Sequence, residues 1–260
     1  MHIHLIRHGQ ANASGMNYDQ LTDKGRQQAR KLGQRFRENG LEFKLFARGS
    51  LVRHMETLDG ILEGMQMLES PVSIPANGRE SPNTDRNTSA PGDSIQTEES
   101  GSSVIVLEKP GLNEVDPAAW KSIAEEIAST DPTFSSILGH LKNSEGSGRR
   151  RRLAAVTGRV LDFWIRGQSP DFLEFRTAVL ESLKEIASKP GSGPALVVSS
   201  GTPMAIAIAE ALGQSNPESI YHWLRQLSNT SYSILDISSR WKALQINSLD
   251  HLPMAQRSLM

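Results

Sequence analysis

Short apolar runs alternate with helical stripes along the first third of this chain, and that alternation restricts the fold more than any other feature. The segment Ile3 to Ile6 is brief and rich in branched residues, as a strand covered on both faces requires. It ends at Arg7-His8-Gly9. Thr22 then offers an N-cap with Asp23 in the first turn, and Ala29, Leu32, Gly33 and Phe36 recur at helical spacing until Asn39-Gly40 stops the pattern. Phe43 to Ala47 reads as a second strand, and Leu58, Ile61, Leu62 and Met65 as the buried stripe of a second helix. Strand, helix, strand and helix in succession predict an α/β fold, a mainly parallel sheet flanked by helices on both faces.

The middle of the chain interrupts this rhythm. Between Pro75 and Ser103 the only large aliphatic residue is Ile95, so 75–103 is expected to be a disordered surface insertion. Val104 to Leu107 suggests a short strand. Trp120, Ile123 and Ile127, then Val156, Val160 and Phe163, then Phe172, Phe175, Val179 and Ile186 recur at helical intervals, which predicts a helical insertion over 117–188. Asn143 to Arg152, ending in four consecutive arginines, reads as a loop inside it. The sheet resumes at Ala195 to Ser199, Thr202-Pro203 reads as an N-cap followed by proline at the first helical position, and Ser231 to Asp236 and Trp241 to Ile246 read as closing strands. One domain over 1–252 with a polar tail at 253–260 is the expected organisation.

Several function classes are excluded by what the residues do not supply. Lys plus Arg number 28 against 29 Asp plus Glu, so a net charge of −1 gives no global field for nucleic acid or an anionic membrane. No cysteine is present, which removes disulfides, thiolate metal sites and cysteine nucleophiles. No apolar run approaches the roughly 20 residues needed to cross a bilayer, and Met1-His2-Ile3-His4 lacks the basic start of a secretory signal. A soluble, cytoplasmic protein without metal or cofactor is expected, because no His, Asp and Glu cluster has a metal spacing. Arg149 to Arg152 fits a solvated loop better than an acidic partner's site. Trp120, Trp164, Phe172 and Phe175 fit a core better than a stacking platform.

In an open α/β sheet, ligands bind at the loops beyond the carboxyl ends of strands. Three such places hold useful groups: Arg7-His8-Gly9, Arg53 at the start of a helix, and Ser199-Ser200-Gly201-Thr202. An imidazole that attacks phosphorus needs one free ring nitrogen, a hydrogen bond on the other, and cations that keep it neutral and bind phosphate oxygens. Arg7 and Arg53 suit that task, since guanidinium forks match a phosphoryl group and stay charged. Gly9 would let the backbone come close to a ligand. His54 follows Arg53 directly and is expected to point elsewhere on the helix, either in a structural role or in support behind the site residues, and His2 and His4 lie within the first strand.

Leu5-Ile6-Arg7-His8-Gly9-Gln10-Ala11, Tyr18 through Ala29, and Leu51-Val52-Arg53-His54-Met55-Glu56-Thr57 closely resemble, in order and spacing, the opening of the histidine phosphatase superfamily. Leu112-Asn113-Glu114-Val115-Asp116, Val197 through Pro203, and Asn229-Thr230-Ser231-Tyr232 continue the resemblance. It implies a phosphoglycerate mutase-like fold and transient phosphorylation of His8. It further implies phosphate binding by Arg7 and Arg53 and protonation of the leaving oxygen by Glu114. The family's second histidine is replaced by Ser200, which with Gly201 is expected to bind phosphate through a hydroxyl and the amides of a helix N-terminus. The implied activity is metal-independent hydrolysis of a small phosphorylated substrate. A phosphomutase, or a module that binds a phosphoester or inorganic phosphate without turnover, are the alternatives.

Overall fold

A computed structural model describes residues 1–12, 19–67, 72–74, 104–167, 170–190 and 193–259. The expected insertion at 75–103 lies outside these residues. The first strand, β1 (His2–Arg7), leads through a loop to α1 (Asp23–Glu38), and Thr22 caps that helix by accepting from the Gly25 amide at 3.1 Å. Next come β2 (Leu45–Arg48), α2 (Val52–Met65), β3 (Val72–Ile74) and β4 (Ile105–Glu108). Four helices follow: α3 (Pro117–Thr130), α4 (Pro132–Lys142), α5 (Gly146–Gly167) and α6 (Pro170–Ala187). The chain closes with β5 (Ala195–Ser199), α7 (Gly201–Ala211), α8 (Pro217–Gln226), β6 (Tyr232–Asp236) and β7 (Lys242–Ser248).

The seven strands form one sheet in the order β3-β4-β2-β5-β1-β6-β7. Every pairing from β3 to β1 is parallel, and β6 and β7 add an antiparallel edge. The mainly parallel α/β sheet expected from the alternating pattern is therefore present. Side chains alternate across a strand, so neighbouring positions feed opposite faces. Ile6, Phe46, Leu196 and Val198 pack with Leu32, Phe36, Leu58 and Ile61 of α1 and α2 on one face. Ile3, Leu5, Ala47, Ala195 and Val197 pack with Trp164, Val179, Leu183 and Ile206 of α5 to α7 on the other. β1 and β5 are buried along nearly their whole length, which explains their unbroken apolar character.

Within the helical insertion, Ile127, Phe134, Val156 and Val160 make a smaller core between α3, α4 and α5. Trp164 meets Phe172 edge-on at 5.0 Å inside the main core. The arginine run corrects the sequence reading. Arg149 to Arg152 belong to α5 and not to a loop, which is confined to 143–145. Arginine is a good helix former, and Arg152 Nη1 donates to Ser144 Oγ at 3.0 Å, so this side chain folds back over the turn. Beyond Leu252, the Ser258 carbonyl accepts from the Asn229 amide at 2.9 Å, and its hydroxyl donates to Asn229 Oδ1 at 2.9 Å. No helix among the described residues is long and apolar enough to cross a membrane.

Candidate active site

The parallel strands β2, β5 and β1 point their carboxyl ends to one side, so the loops after them converge. Arg7 and Ser199 are paired in the register of β1 and β5, and the His8 amide donates to the Ser199 carbonyl at 3.0 Å. His8 is thereby held beside Ser200. From the opposite flank, the Thr230 amide donates to the Arg7 and His8 carbonyls at 3.1 and 3.3 Å, and Asn229 Nδ2 donates to the His8 carbonyl at 3.2 Å. Thr230 is β-branched yet has a φ of 56°, a conformation that costs energy and persists here under these hydrogen bonds.

The His8 ring is oriented by its own chain. Its Nδ1 lies 2.8 Å from the Gly9 carbonyl, which can only accept, so Nδ1 carries the proton and Nε2 keeps a lone pair. Burial pushes the His8 pKa well below 6.5, and Arg7, Arg53 and His54 push it further in the same direction. Gly9 has a packing role in addition to the expected approach of ligand to backbone. A Cβ there would lie 2.6 Å from the Gly25 carbonyl oxygen, so the site loop packs directly on α1.

Arg7 is almost fully buried; its Nη1 donates to the Leu227 carbonyl at 2.6 Å, while Nε has no hydrogen-bond partner among the described residues. Burial lowers its pKa to about 10, partly countered by Glu114, so it is charged at neutral pH. Arg53 arises from the first turn of α2 and pairs with Asp19. Asp19 also accepts from the Val52 amide at 2.8 Å, standing in for the side-chain cap that Leu51 cannot provide. Thr57, one turn on, accepts from the Gly9 amide at 3.0 Å and donates to the Arg53 carbonyl at 2.6 Å, tying α2 to the His8 loop.

Ser200 is the N-cap residue of α7, two residues before the cap expected at Thr202. The difference has a cause in Glu114. Its Oε2 accepts from the Thr202 amide at 3.2 Å, so a carboxylate from the loop after β4 serves the helix's positive end. The Ser200 hydroxyl makes no capping bond to its own helix and lies 2.7 Å from His54 Nε2. His54 is fully buried and its ring centroid is 5.8 Å from that of His8. A Cβ on Gly201 would come within 3.6 Å of Arg7 Nε.

His8, Arg7, Arg53, Glu114, Ser200 and Gly201 are thus gathered at one end of the sheet. His54, expected to point away, faces into the site as well. The helix turns about 100° per residue, which sends Arg53 toward Asp19 and the next side chain inward. Asp19, Thr57, Asn229 and Thr230 also escaped local reasoning as site residues. They lie within segments that match the family pattern, Tyr18 through Ala29, Leu51 through Thr57 and Asn229 through Tyr232, but the match gave them no role.

The family model for the histidine phosphatase superfamily (branch 1) matches residues 3–80 and 95–248. The mitochondrial serine/threonine-protein phosphatase Pgam5 of Drosophila virilis is 46% identical over 63 residues, which make up 24% of this chain and 22% of that protein. The match therefore spans about a fifth of the curated relative. Among solved structures, YhfR of Bacillus stearothermophilus is similar with a TM-score of 0.58 at 15% identity, covering 96% of this chain and 98% of that one. The α-ribazole phosphatase of Shigella flexneri is similar with a TM-score of 0.56 at 19% identity, covering 95% and 96%. At such identities the structural likeness speaks for the fold alone.

Proposed function

Because the chain belongs to the histidine phosphatase superfamily, we propose that it is a metal-independent phosphomonoesterase that acts on a small phosphorylated substrate through a phosphohistidine at His8. One observation carries this reading: His8 is a neutral imidazole whose Nδ1–H is committed to the Gly9 carbonyl, leaving Nε2 bare beside two guanidinium groups. In the first step the Nε2 lone pair forms a bond to phosphorus and the ester P–O bond breaks. The electron pair goes to the departing oxygen, and Glu114 supplies the proton that makes it an alcohol. In the second step a water oxygen attacks phosphorus, Glu114 takes the water proton, and the P–N bond breaks to regenerate His8. Arg7 and Arg53 carry the positive charge that phosphoryl oxygens require, with Ser200, Gly201 and the start of α7 adding donors.

A second reading is a module that binds a phosphoester or phosphate without turnover, and Ser200 favours it, because serine stands where the family has its second histidine. One experiment separates the two. Hydrolysis of p-nitrophenyl phosphate by the wild type, lost in His8→Ala at unchanged melting temperature, supports the enzyme. A phosphate-induced rise in melting temperature with no hydrolysis supports the module, since a ligand that binds only the native state stabilises it.

A further inference from the structure

Serine at an N-cap ordinarily turns its hydroxyl to the amides of its own helix. Ser200 does not, although its position at the head of α7 invites it. Its Oγ lies 2.7 Å from His54 Nε2 and makes no other side-chain hydrogen bond among the described residues, in a site where both residues are fully buried. The other ring nitrogen, His54 Nδ1, has no hydrogen-bond partner among the described residues. It lies against Gly49, where a Cβ would come within 2.3 Å of it.

The direction of the bond follows from that asymmetry. A buried N–H without a partner is a rarer and dearer defect than a bare lone pair. Nδ1 is therefore the unprotonated nitrogen and Nε2 carries the hydrogen. Burial, with Arg53 and Arg48 adding to it, pushes the His54 pKa well below 6.5, so a second proton does not reverse the arrangement at neutral pH. With Nε2–H donating to Ser200 Oγ, the hydroxyl keeps its own proton free to donate onward. Ser200 sits beside His8 across the ends of β1 and β5, and the two imidazoles are 5.8 Å apart. A hydroxyl hydrogen rotates about its C–O bond, so it can turn to an acceptor bound at His8.

We propose that His54 is a positioning residue: its Nε2–H holds the Ser200 hydroxyl so that the hydroxyl proton is delivered to an oxygen of the phosphoryl group transferred to His8. The inference rests on the phosphoryl-site reading given under the proposed function. His54 touches no reacting atom; it acts through Ser200, and the glycine at position 49 gives its ring the room to do so.

The test is a double-mutant cycle on the full chain, read by the dissociation constant of orthovanadate, a mimic of the trigonal phosphoryl group. His54→Ala and Ser200→Ala should each weaken vanadate about tenfold, the effect of one hydrogen bond to a charged group. The double variant should be no weaker than Ser200→Ala alone, because His54 has nothing left to position. His54→Gln, whose amide N–H can reach the place of Nε2, should restore most of the affinity. If the two losses multiply in the double variant, or if His54→Gln binds as poorly as His54→Ala while melting like the wild type, the positioning role is overturned. Should the wild type bind no vanadate, the phosphoryl-site reading itself falls and the role of His54 with it. A wild type that binds and a His54→Ala that binds equally well removes the positioning role alone.

Discussion

The Nδ1–H of His8 donates to the carbonyl of the next residue, Gly9, at 2.8 Å, and this contact decides which ring nitrogen faces the ligand. Burial of the same ring, with Arg7 and Arg53 beside it adding to the effect, lowers its pKa well below 6.5. A lowered pKa means that the neutral, nucleophilic form survives as the pH falls past the ordinary histidine range. The acid limb of kcat/KM assigned to nucleophile protonation should therefore lie well below pH 6.5. A limb with its midpoint near 6.5 would mean that the ring is solvated.

The same burial makes acid costly to the fold. His4 is enclosed by Phe36, Phe43 and Tyr232 and has its pKa lowered to about 4, chiefly by desolvation. The unfolded chain takes up this proton near pH 6.5 while the native state refuses it until about pH 4. Stability is thus lost as the pH falls through that window, at up to about 1.4 kcal/mol per pH unit for one group. His4→Phe should reduce this sensitivity, so its urea midpoint at pH 5 should gain on the wild type relative to pH 7.5. Equal shifts at both pH values would show that His4 titrates normally in the native state.

Glu114 holds the Thr202 amide with Oε2, and glutamine can still accept there while being unable to donate a carboxylic proton. Glu114→Gln should lower kcat/KM, which reports phosphoryl transfer to His8, by roughly 10² to 10³ on an alkyl phosphate. The loss of kcat/KM should be much smaller on p-nitrophenyl phosphate, whose leaving group needs no acid, although kcat can fall on both through the shared hydrolysis of the phosphohistidine. Equal losses of kcat/KM on both substrates would contradict the acid role.

Placing at position 200 the histidine that the family resemblance implies there encounters an occupied site. The Ser200 side chain is fully buried with His54 Nε2 at 2.7 Å, so a second imidazole would collide with the first. Ser200→His alone should cost about 1 to 3 kcal/mol of stability through overpacking and gain no activity. Adding His54→Ala should recover most of that stability and allow the new ring to act. Chemical denaturation and aryl phosphate turnover of the three proteins check this, and a stable, faster Ser200→His single variant would contradict it.

These contacts mark where local reading of the chain stops. β5 was legible to its boundaries, and α1 to its cap at Thr22, because period, branching and capping are properties of neighbouring residues. Arg53 and His8 were legible as candidates because the family pattern spaces them along the chain. The bond between His54 and Ser200 joins residues 146 apart, and no periodicity in either segment reports it. The start of α7 moved for a similar reason: the carboxylate serving its amides comes from Glu114, 88 residues earlier. The arginine run misled through its composition, since Ser and Gly before four like charges suggest a loop, whereas arginine has good helix propensity and the run lies in the first two turns of α5.

A covalent role for His8 requires a phosphohistidine that can be trapped during turnover. The wild type should be mixed with p-nitrophenyl phosphate, quenched at alkaline pH to preserve phosphoramidate bonds, digested, and mapped by mass spectrometry. The expected result is a single phosphoryl group on the peptide containing His8, on the histidine itself, formed within one turnover and absent from His8→Ala. Turnover accompanied by phosphate on Ser200, or undiminished turnover in His8→Ala, would contradict the assignment.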